Sequence, residues 1–510
     1  MPLFYELPPN LPAEKFIAKL GQKLDLDVLS RQYSLKTYYD SFDWRLFRKG
    51  LVFEYARAKH ESHWLLKALA SGQLLASSAC QDAPGLIRDF PPGKLRGQLE
   101  SVLEMRALLA VCTIDYEAYS IALLNKDEKT VLRLKLEAYD LFNTRLSLLP
   151  IKGYDKALEN FCRLAEESFA LTPGFRPVML DIIEQQGRKP KDYSSKLTVQ
   201  LAPDMRADVA CKYLYSSLLN TIKVNEQGVI ADLDSEFLHD FRVAVRRTRA
   251  GLSQLKGVLP EEVSARFGEF FAWLGQISGP TRDLDMYLVN FENHKRSLPV
   301  AIRSDLEPLY AFIAAKKQKT HDELVKKLKS PQYLSTLSAW ENFLKAPADK
   351  IASEPNARLT IKELADHRIW KVYNAVLKEA DHIHSGSSAA ALHRLRKTCK
   401  KLRYLMEFFQ SLYPEQPVRE LLKSLKEFQD ILGSFQDCEV QEQTLKLFSE
   451  EMMAAHIQAN TFLAMGVLIQ VVDSRKSKAR QAFAEKFAEF KQPKYRKLFE
   501  ALFAKSLEQL

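Results

Sequence analysis

The feature that most restricts how this chain can fold is a basic helix written twice, 154 residues apart. Residues 239–249 read HDFRVAVRRTR and residues 393–403 read HRLRKTCKKLR. His239 thereby pairs with His393, Arg242 with Arg396, Arg246 with Lys400, Arg247 with Lys401 and Arg249 with Arg403. At about 100° per residue, a helix gathers the first, fourth, eighth and eleventh of these positions within roughly 80° of arc. One histidine and three cations therefore share a face in each copy. The opposite face carries Leu238, Phe241, Val245 and Leu252 in the first copy, and Leu395, Cys399, Leu402 and Met406 in the second. Each stretch predicts an amphipathic helix with one side fit for a core and the other fit for an anion.

A basic run on a helix is most simply a solvated face. Against that reading, few Asp or Glu stand at the i,i+4 spacings that would neutralise these cations, and like charges so placed destabilise a helix. A costly feature that is repeated whole points to two half-sites facing one ligand.

The chain has 510 residues, room for two to four domains with ample cores, and a formal net charge of +10 that favours an anionic partner without naming it. Its six cysteines (Cys80, Cys112, Cys162, Cys211, Cys399, Cys438) have no CxxC-type spacing, which argues against a zinc site or a disulfide framework and fits a reducing compartment. The start, MPLFYELPPN, has no basic stretch followed by an apolar run, and the longest apolar window, Phe462 to Val472, is too short to span a bilayer. The expectation is a cytoplasmic protein with no membrane contact.

Residues 1–173 read as a mixed α/β domain: a helix from Pro12 to Leu24, then β-rich runs at Lys36–Asp40, Leu51–Arg57, Ser62–Lys67, Leu108–Asp115, Ala118–Asn125, Thr130–Tyr139 and Arg145–Ile151. Leu132, Leu134 and Leu136 alternate with Arg133, Lys135 and Glu137, so one face of that strand meets either water or a polar cavity. The succession Tyr38, Tyr39, Asp40, Ser41, then Arg45, Arg48, Gly50, a strand ending in Arg57, Trp64, Lys67 and finally Lys152, Gly153, Tyr154 resembles the CYTH, or triphosphate tunnel, family. That resemblance implies an antiparallel barrel around a tunnel that binds triphosphate and a divalent metal, Mg²⁺ or Mn²⁺. The family's opening Glu-x-Glu-x-Lys is reduced here to Glu6, which with Glu137 leaves few carboxylates for a metal. Arg45, Arg48, Arg57, Lys67, Arg133 and Lys135 are either weak anion contacts or ordinary surface.

Residues 174–203 have the breaker-rich composition of a linker. Residues 204–510 show a 3.6-residue period punctuated by Pro260, Gly279, Pro280, Pro299, Pro331 and Pro347, which predicts an all-α domain of ten or more helices in two repeats, about 204–345 and 357–510. The repeat extends to Asp283 and Asp437, each 44 residues after its histidine and shortly after a Leu-Gly pair, Leu274-Gly275 or Leu432-Gly433. These read as Gly-Asp turns in which the aspartate caps the next helix or, less simply, holds a ligand.

The motifs His239-Asp-x-Arg-x-Ala-x-Arg-Arg-x-Arg249, Leu392-His-x-Leu-Arg-Lys-x-x-Lys-Lys-Leu-Arg-Tyr404 and Arg282-Asp-Leu-Asp285 resemble the CHAD family, the conserved-histidine α-helical domain. The resemblance covers about residues 204–510 and implies two helical bundles around a basic surface that binds inorganic polyphosphate. Carried over by position, it implicates His239, Arg242, Arg246, Arg247, Arg249, His393, Arg396, Lys397, Lys400, Lys401 and Arg403, with Arg282 and Tyr404 as weaker candidates. Each histidine is either a donor to the anion or a neutral ring held in the bundle. No aromatic residues interleave with the cations on the basic face, which points away from single-stranded nucleic acid.

The expected whole is an α+β two-domain protein, a CYTH-like antiparallel β-barrel with helices followed by a large all-α domain of two repeated helical bundles. The expected function is non-catalytic binding of polyphosphate, as granule recruitment or as a scaffold, with no cofactor. Two alternatives stay open: a triphosphatase that uses Mg²⁺ or Mn²⁺ in the N-terminal tunnel, and nucleic-acid binding by the same cations. Oligomeric state is not legible.

Overall fold

The computed structural model describes residues 3–57, 62–79, 85–348, 354–384, 387–454 and 456–504. The chain forms two compact units, residues 1–194 and 195–510.

The first unit is a curled antiparallel sheet of nine strands: β1 (Phe4–Glu6), β2 (Leu26–Asp40), β3 (Leu51–Arg57), β4 (Ser62–Ala68), β5 (Leu74–Ala79), β6 (Leu109–Leu124), β7 (Thr130–Ala138), β8 (Arg145–Pro150) and β9 (Thr172–Pro173). The order β5-β4-β3-β2-β6-β7-β8-β1-β9 makes a half-barrel whose end strands do not pair with each other among the described residues, where the sequence suggested a closed barrel. The two runs expected at 108–115 and 118–125 are one strand, because β6 pairs with β2 from Leu109 opposite Asp40 to Leu123 opposite Leu26. Helices α1 (Ala13–Gly21), α2 (Arg45–Arg48), α3 (Lys94–Leu103) and α4 (Asp155–Phe169) accompany the sheet. The alternation of β7 sends Leu132, Leu134 and Leu136 into a core with Phe16, Leu20, Phe161 and Phe169 of α1 and α4. On its other face Arg133 is exposed while Glu137 turns inward.

Residues 174–203, expected as a linker, contain helix α5 (Met179–Gln185). Val178, Met179, Ile182 and Ile183 pack against Tyr38, Trp44 and Tyr116, and Trp44 Nε1 donates to Asp192 at 2.7 Å. An apolar stripe four residues wide outweighs the breakers that flank it.

The second unit is all-α among the described residues: α6 (Ala207–Ile230), α7 (Ser235–Gln254), α8 (Glu261–Val289), α9 (Phe291–Arg296), α10 (Glu307–Leu328), α11 (Pro331–Lys345), α12 (Ile361–Asp381), α13 (Ala389–Phe409), α14 (Glu415–Ala454), α15 (Ala459–Phe490) and α16 (Pro493–Phe503), with short 3₁₀ turns between. The repeat is structural. Ala207 and Ile361 open α6 and α12, and Ser235 and Ala389 open α7 and α13, both pairs 154 residues apart. Equivalent residues also meet. Arg206 and Thr360 form an antiparallel bridge, flanked by Ala207 N donating to Leu359 O at 2.9 Å and Ile361 N to Met205 O at 2.8 Å. These two bonds exchange under the 154-residue shift, and so do Asp208 N to Ala357 O and Lys362 N to Pro203 O, both 3.3 Å. Tyr287 OH donates to the carbonyl of Gln441, its own equivalent, at 3.1 Å. A residue that touches its equivalent lies beside a local two-fold axis.

Helix α8 runs through Gly279 and Pro280, and α14 runs through Gly433, so the expected Gly-Asp turns are helix interior. Asp283 and Asp437 consequently cap nothing. Burial of Ser278, Thr281, Arg282, Leu284 and Asp285 keeps α8 continuous despite the N–H that Pro280 lacks. Five cysteines (Cys112, Cys162, Cys211, Cys399, Cys438) form no disulfide among the described residues, and Cys80 lies outside them. No helix among the described residues is long and apolar enough to cross a membrane.

Close approach of α6 and α7 depends on Gly228, where a Cβ would sit 2.2 Å from the buried ring of Phe237. We expect Gly228→Ala to destabilise the helical unit by roughly 1–3 kcal/mol. Gly268→Ala, with nothing within 4 Å, should be neutral or add up to about 1 kcal/mol. Urea unfolding followed by helical circular dichroism measures both.

Candidate functional site: a paired cationic surface on two repeated helices

The two basic helices begin alike. Asp234 caps α7, accepting from Glu236 N at 2.8 Å and Phe237 N at 3.2 Å, and its equivalent Ser388 caps α13, accepting from Ala391 N at 3.3 Å. Capped and phased in the same way, both helices bury their apolar stripe. Leu238, Phe241, Val245 and Leu252 are interior on α7, as are Leu395, Cys399, Leu402 and Met406 on α13. Burial of these stripes directs the polar face of each helix outward from the core.

A carboxylate joins the two helices. Glu407 of α13 accepts from Arg247 Nη2 of α7 at 2.7 Å and from Arg403 Nε, one turn earlier on α13, at 2.7 Å. Arg247 also donates to the carbonyl of Ser195 at 3.1 Å. Arg247 and Glu407 are each 12% exposed, so this ion pair is little screened.

Arg242, Arg246, Arg396 and Lys400 come together differently. Arg242 Nη1 donates to the carbonyl of Gly275 and the hydroxyl of Ser278 on α8, both at 2.8 Å, while Arg396 Nη2 meets Asp437 of α14 at 3.2 Å. Each guanidinium passes a glycine: a Cβ at Gly279 would stand in ordinary contact, 3.5 Å from the Arg242 guanidinium, and one at its equivalent Gly433 would stand 3.9 Å from that of Arg396. Arg246 and Lys400, equivalent to each other, make no ion pair among the described residues. The Nε groups of Arg242, Arg246 and Arg396 are buried without a hydrogen-bond acceptor.

The cost of this crowding appears in the proton affinities. Burial, then the charges of Arg396 and Arg246, brings Lys400 down to about 8 from the ordinary lysine range. Burial and the charge of Arg246 bring Arg242 down to about 10. Arg246 of one repeat thus acts on Lys400 of the other, so the two faces share one electrostatic field. A bound anion would relieve that field and supply acceptors to the buried N–H groups.

The histidines stand at the N-terminal ends of the two faces. Arg282 Nη2 lies 3.1 Å from His239 Nδ1, and Gln436 Oε1 lies 2.9 Å from His393 Nδ1. Arg282 can only donate, so His239 accepts at Nδ1 and carries its proton on Nε2. Arg282 itself is buried and also donates to the carbonyl of Ser235 at 2.7 Å. Arg249, Lys397 and Lys401 are exposed and have no ion pair among the described residues. Sequence reasoning did not find Glu407, Ser278 or Gln436. For Gln436 a signal existed, since Arg282 and Gln436 each follow their histidine by 43 residues.

In the first unit the suggested anion contacts are mostly engaged internally. Arg45 meets Asp43, Glu104 and the carbonyl of Leu103, Arg48 meets the carbonyls of Asp43 and Tyr193, and Lys67 meets Glu54. Arg57 and Arg133 are exposed and Lys135 lies 3.4 Å from Glu137. Among the described residues no group of His, Cys, Asp and Glu is gathered as a metal site.

A double-mutant cycle on Arg247→Met and Glu407→Gln measures the joint between α7 and α13. We expect a coupling of about 1–3 kcal/mol in unfolding free energy, the range for a hydrogen bond between charged groups. A coupling near zero would mean that apolar packing alone holds the helices together.

Comparison with known proteins adds the following. Residues 214–446 match the family model described as the CHAD domain. Among solved structures, the chain is similar to the CHAD domain from the plant Ricinus communis, with 24% identity over 61% of this chain and 96% of the other, and a TM-score of 0.45. It is also similar to PptA from Streptomyces chartreusis, with 15% identity over 56% of this chain and 100% of the other, at a TM-score of 0.42. HpAC1 from Hippeastrum, described as an inferred adenylyl cyclase with a dominant triphosphatase activity, matches 38% of this chain and 98% of its own at 11% identity and a TM-score of 0.23. No curated protein matches. The matched segment, residues 214–446, holds both basic helices and lies wholly within the helical unit.

Proposed function

We propose that the helical unit binds inorganic polyphosphate, without turning it over, on the surface that α7 and α13 share. The observation that carries this reading is the pair Arg246 and Lys400, equivalent cations that feel each other's charge and make no ion pair among the described residues, with the carboxylates of Asp283 and Asp437 near by but not in contact. Arg242 and Arg396 flank them, the first held only by neutral acceptors. Such a cluster gains from a ligand that brings one negative charge per unit along a flexible chain. His239, His393 and Arg282 extend the surface at its ends, and Arg249, Lys397 and Lys401 are outlying contacts. Arg247 and Arg403 are spoken for by Glu407 and serve the frame more than the ligand.

The absence of stacking favours a base-free anion. No ring–cation contact among the described residues involves Arg242, Arg246, Arg396 or Lys400. Single-strand readers instead combine cations with rings on which bases stack. The proposed role is recruitment to polyphosphate granules, or presentation of polyphosphate to partners, inside the cell.

Binding of labelled long-chain polyphosphate at physiological salt, with single-stranded RNA as competitor at matched phosphate, tests the reading. Arg246→Glu with Lys400→Glu should weaken binding at least about a hundredfold, since each lost charge-assisted contact is worth roughly 1.5–3 kcal/mol. Helical circular dichroism should not change. Unaltered affinity, or displacement by RNA, would sink the proposal.

A pH arm follows from Lys400. Below about 8 its ammonium is already charged in the free protein, and above that value binding must take up a proton. Affinity should hold between pH 6 and 7.5 and fall as pH rises past 8, by up to about tenfold per unit. In Lys400→Arg the fall should vanish.

A further inference from the structure

The interior of the half-barrel holds a cluster of charges that the polyphosphate reading does not use. Lys36 on β2 is 3% exposed, and its Nζ lies 2.5 Å from Glu137 Oε2 on β7 and 3.9 Å from Glu54 Oε2 on β3. Glu54 is 1% exposed and also accepts from Lys67 Nζ of β4 at 2.7 Å. Glu137 takes two more neighbours, the Tyr139 hydroxyl at 2.7 Å and Lys135 Nζ at 3.4 Å. The ring of Tyr116 lies 4.9 Å from the Lys36 ammonium. Glu54 and Glu137 thus face the inward ammonium groups of Lys36 and Lys67, with the half-exposed Lys135 as a third beside Glu137.

A divalent cation in a tunnel of this kind requires carboxylate oxygens open to it, with six or more oxygen ligands in all. None of the inward carboxylates is open here. Glu54 and Glu137 are engaged as described, and Glu6 of β1 is held by Arg145 at 2.8 Å and by Asn143 at 2.5 Å. The space beside the cluster, about 40 Å³, takes a few waters. Burial alone would push Glu137 up, but Lys36, Lys135 and Lys67 more than offset it and hold the carboxylate well below its usual range. The residues present do not fit Mg²⁺ or Mn²⁺.

We infer that the Lys36 ammonium fills, as part of the chain, the place between Glu54 and Glu137 that a divalent ion would take. The half-barrel is then a closed, self-neutralised unit that neither binds a divalent cation with triphosphate nor hydrolyses triphosphate. This inference is independent of the polyphosphate reading, since it concerns residues of the other unit.

Mn²⁺ binding to the full-length chain, without any phosphate and followed by electron paramagnetic resonance, tests it directly. Wild type and Glu137→Gln should take up the same amount of Mn²⁺ in the millimolar range. Lys36→Met, which keeps much of the side-chain volume and removes the charge, should gain one ion per chain, and adding Glu137→Gln should abolish that gain. A well-folded Lys36→Met that gains no ion overturns the inference, as does an ion bound by wild type and lost in Glu137→Gln. Should Lys36→Met fail to fold, the comparison of wild type with Glu137→Gln still decides, together with phosphate release from tripolyphosphate. Release that requires Mg²⁺ or Mn²⁺ and is lost in Glu137→Gln rejects the closed unit, and release no faster than without protein upholds it.

Discussion

Repulsion between two helices of like charge is the constraint around which the helical unit is arranged. Arg246 and Lys400 are drawn close enough to lower the proton affinity of the lysine, an arrangement that by itself drives α7 and α13 apart. What holds them is mostly apolar: the buried stripes from Leu238 to Leu252 and from Leu395 to Met406, which are large and insensitive to charge. One carboxylate is added where it does most, with Glu407 between Arg247 and Arg403. Neutralisation is partial, so the frame is stable while the central cations keep their charge unspent.

The two units handle buried charge in opposite ways. In the half-barrel Glu6, Glu54 and Glu137 each have a cation of the chain beside them, and each of Lys36 and Lys67 has a carboxylate. In the helical unit cations outnumber their partners, and buried Nε groups of Arg242, Arg246 and Arg396 lack acceptors. Uncompensated burial of this sort is costly unless something else repays it, and for that reason it marks a place where a ligand of opposite sign has work to do.

Much of this was legible in the chain. The 3.6-residue period located α7 and α13, because their apolar positions decide which face is buried whatever the neighbours are. The alternation of Leu132, Leu134 and Leu136 located β7 for the same reason. Punctuation misled where tertiary packing was stronger. Gly279-Pro280 lies inside α8 because the residues after it are buried, and Met179–Gln185 is helical despite its breakers because four apolar side chains find a core. Glu407 could not be found by spacing, since it meets Arg247 across 160 residues of chain. Which cations are free and which are engaged is a property of packing, and neighbouring positions such as Arg246 and Arg247 differ in it completely.

The local two-fold axis that passes by the Arg206–Thr360 bridge and the Tyr287–Gln441 contact has a consequence for any elongated ligand laid across the surface. Seen from either end, the order of groups is nearly the same: a histidine, an arginine, the central pair, an arginine, a histidine. A chain whose two ends are chemically alike can therefore land in either orientation and find equal footing. A polymer with a sense of direction, such as a nucleic acid strand with its 5′ and 3′ ends, satisfies one half of the surface only by mismatching the other. Symmetry of such a surface alone would sort polyanions by whether they have a head and a tail.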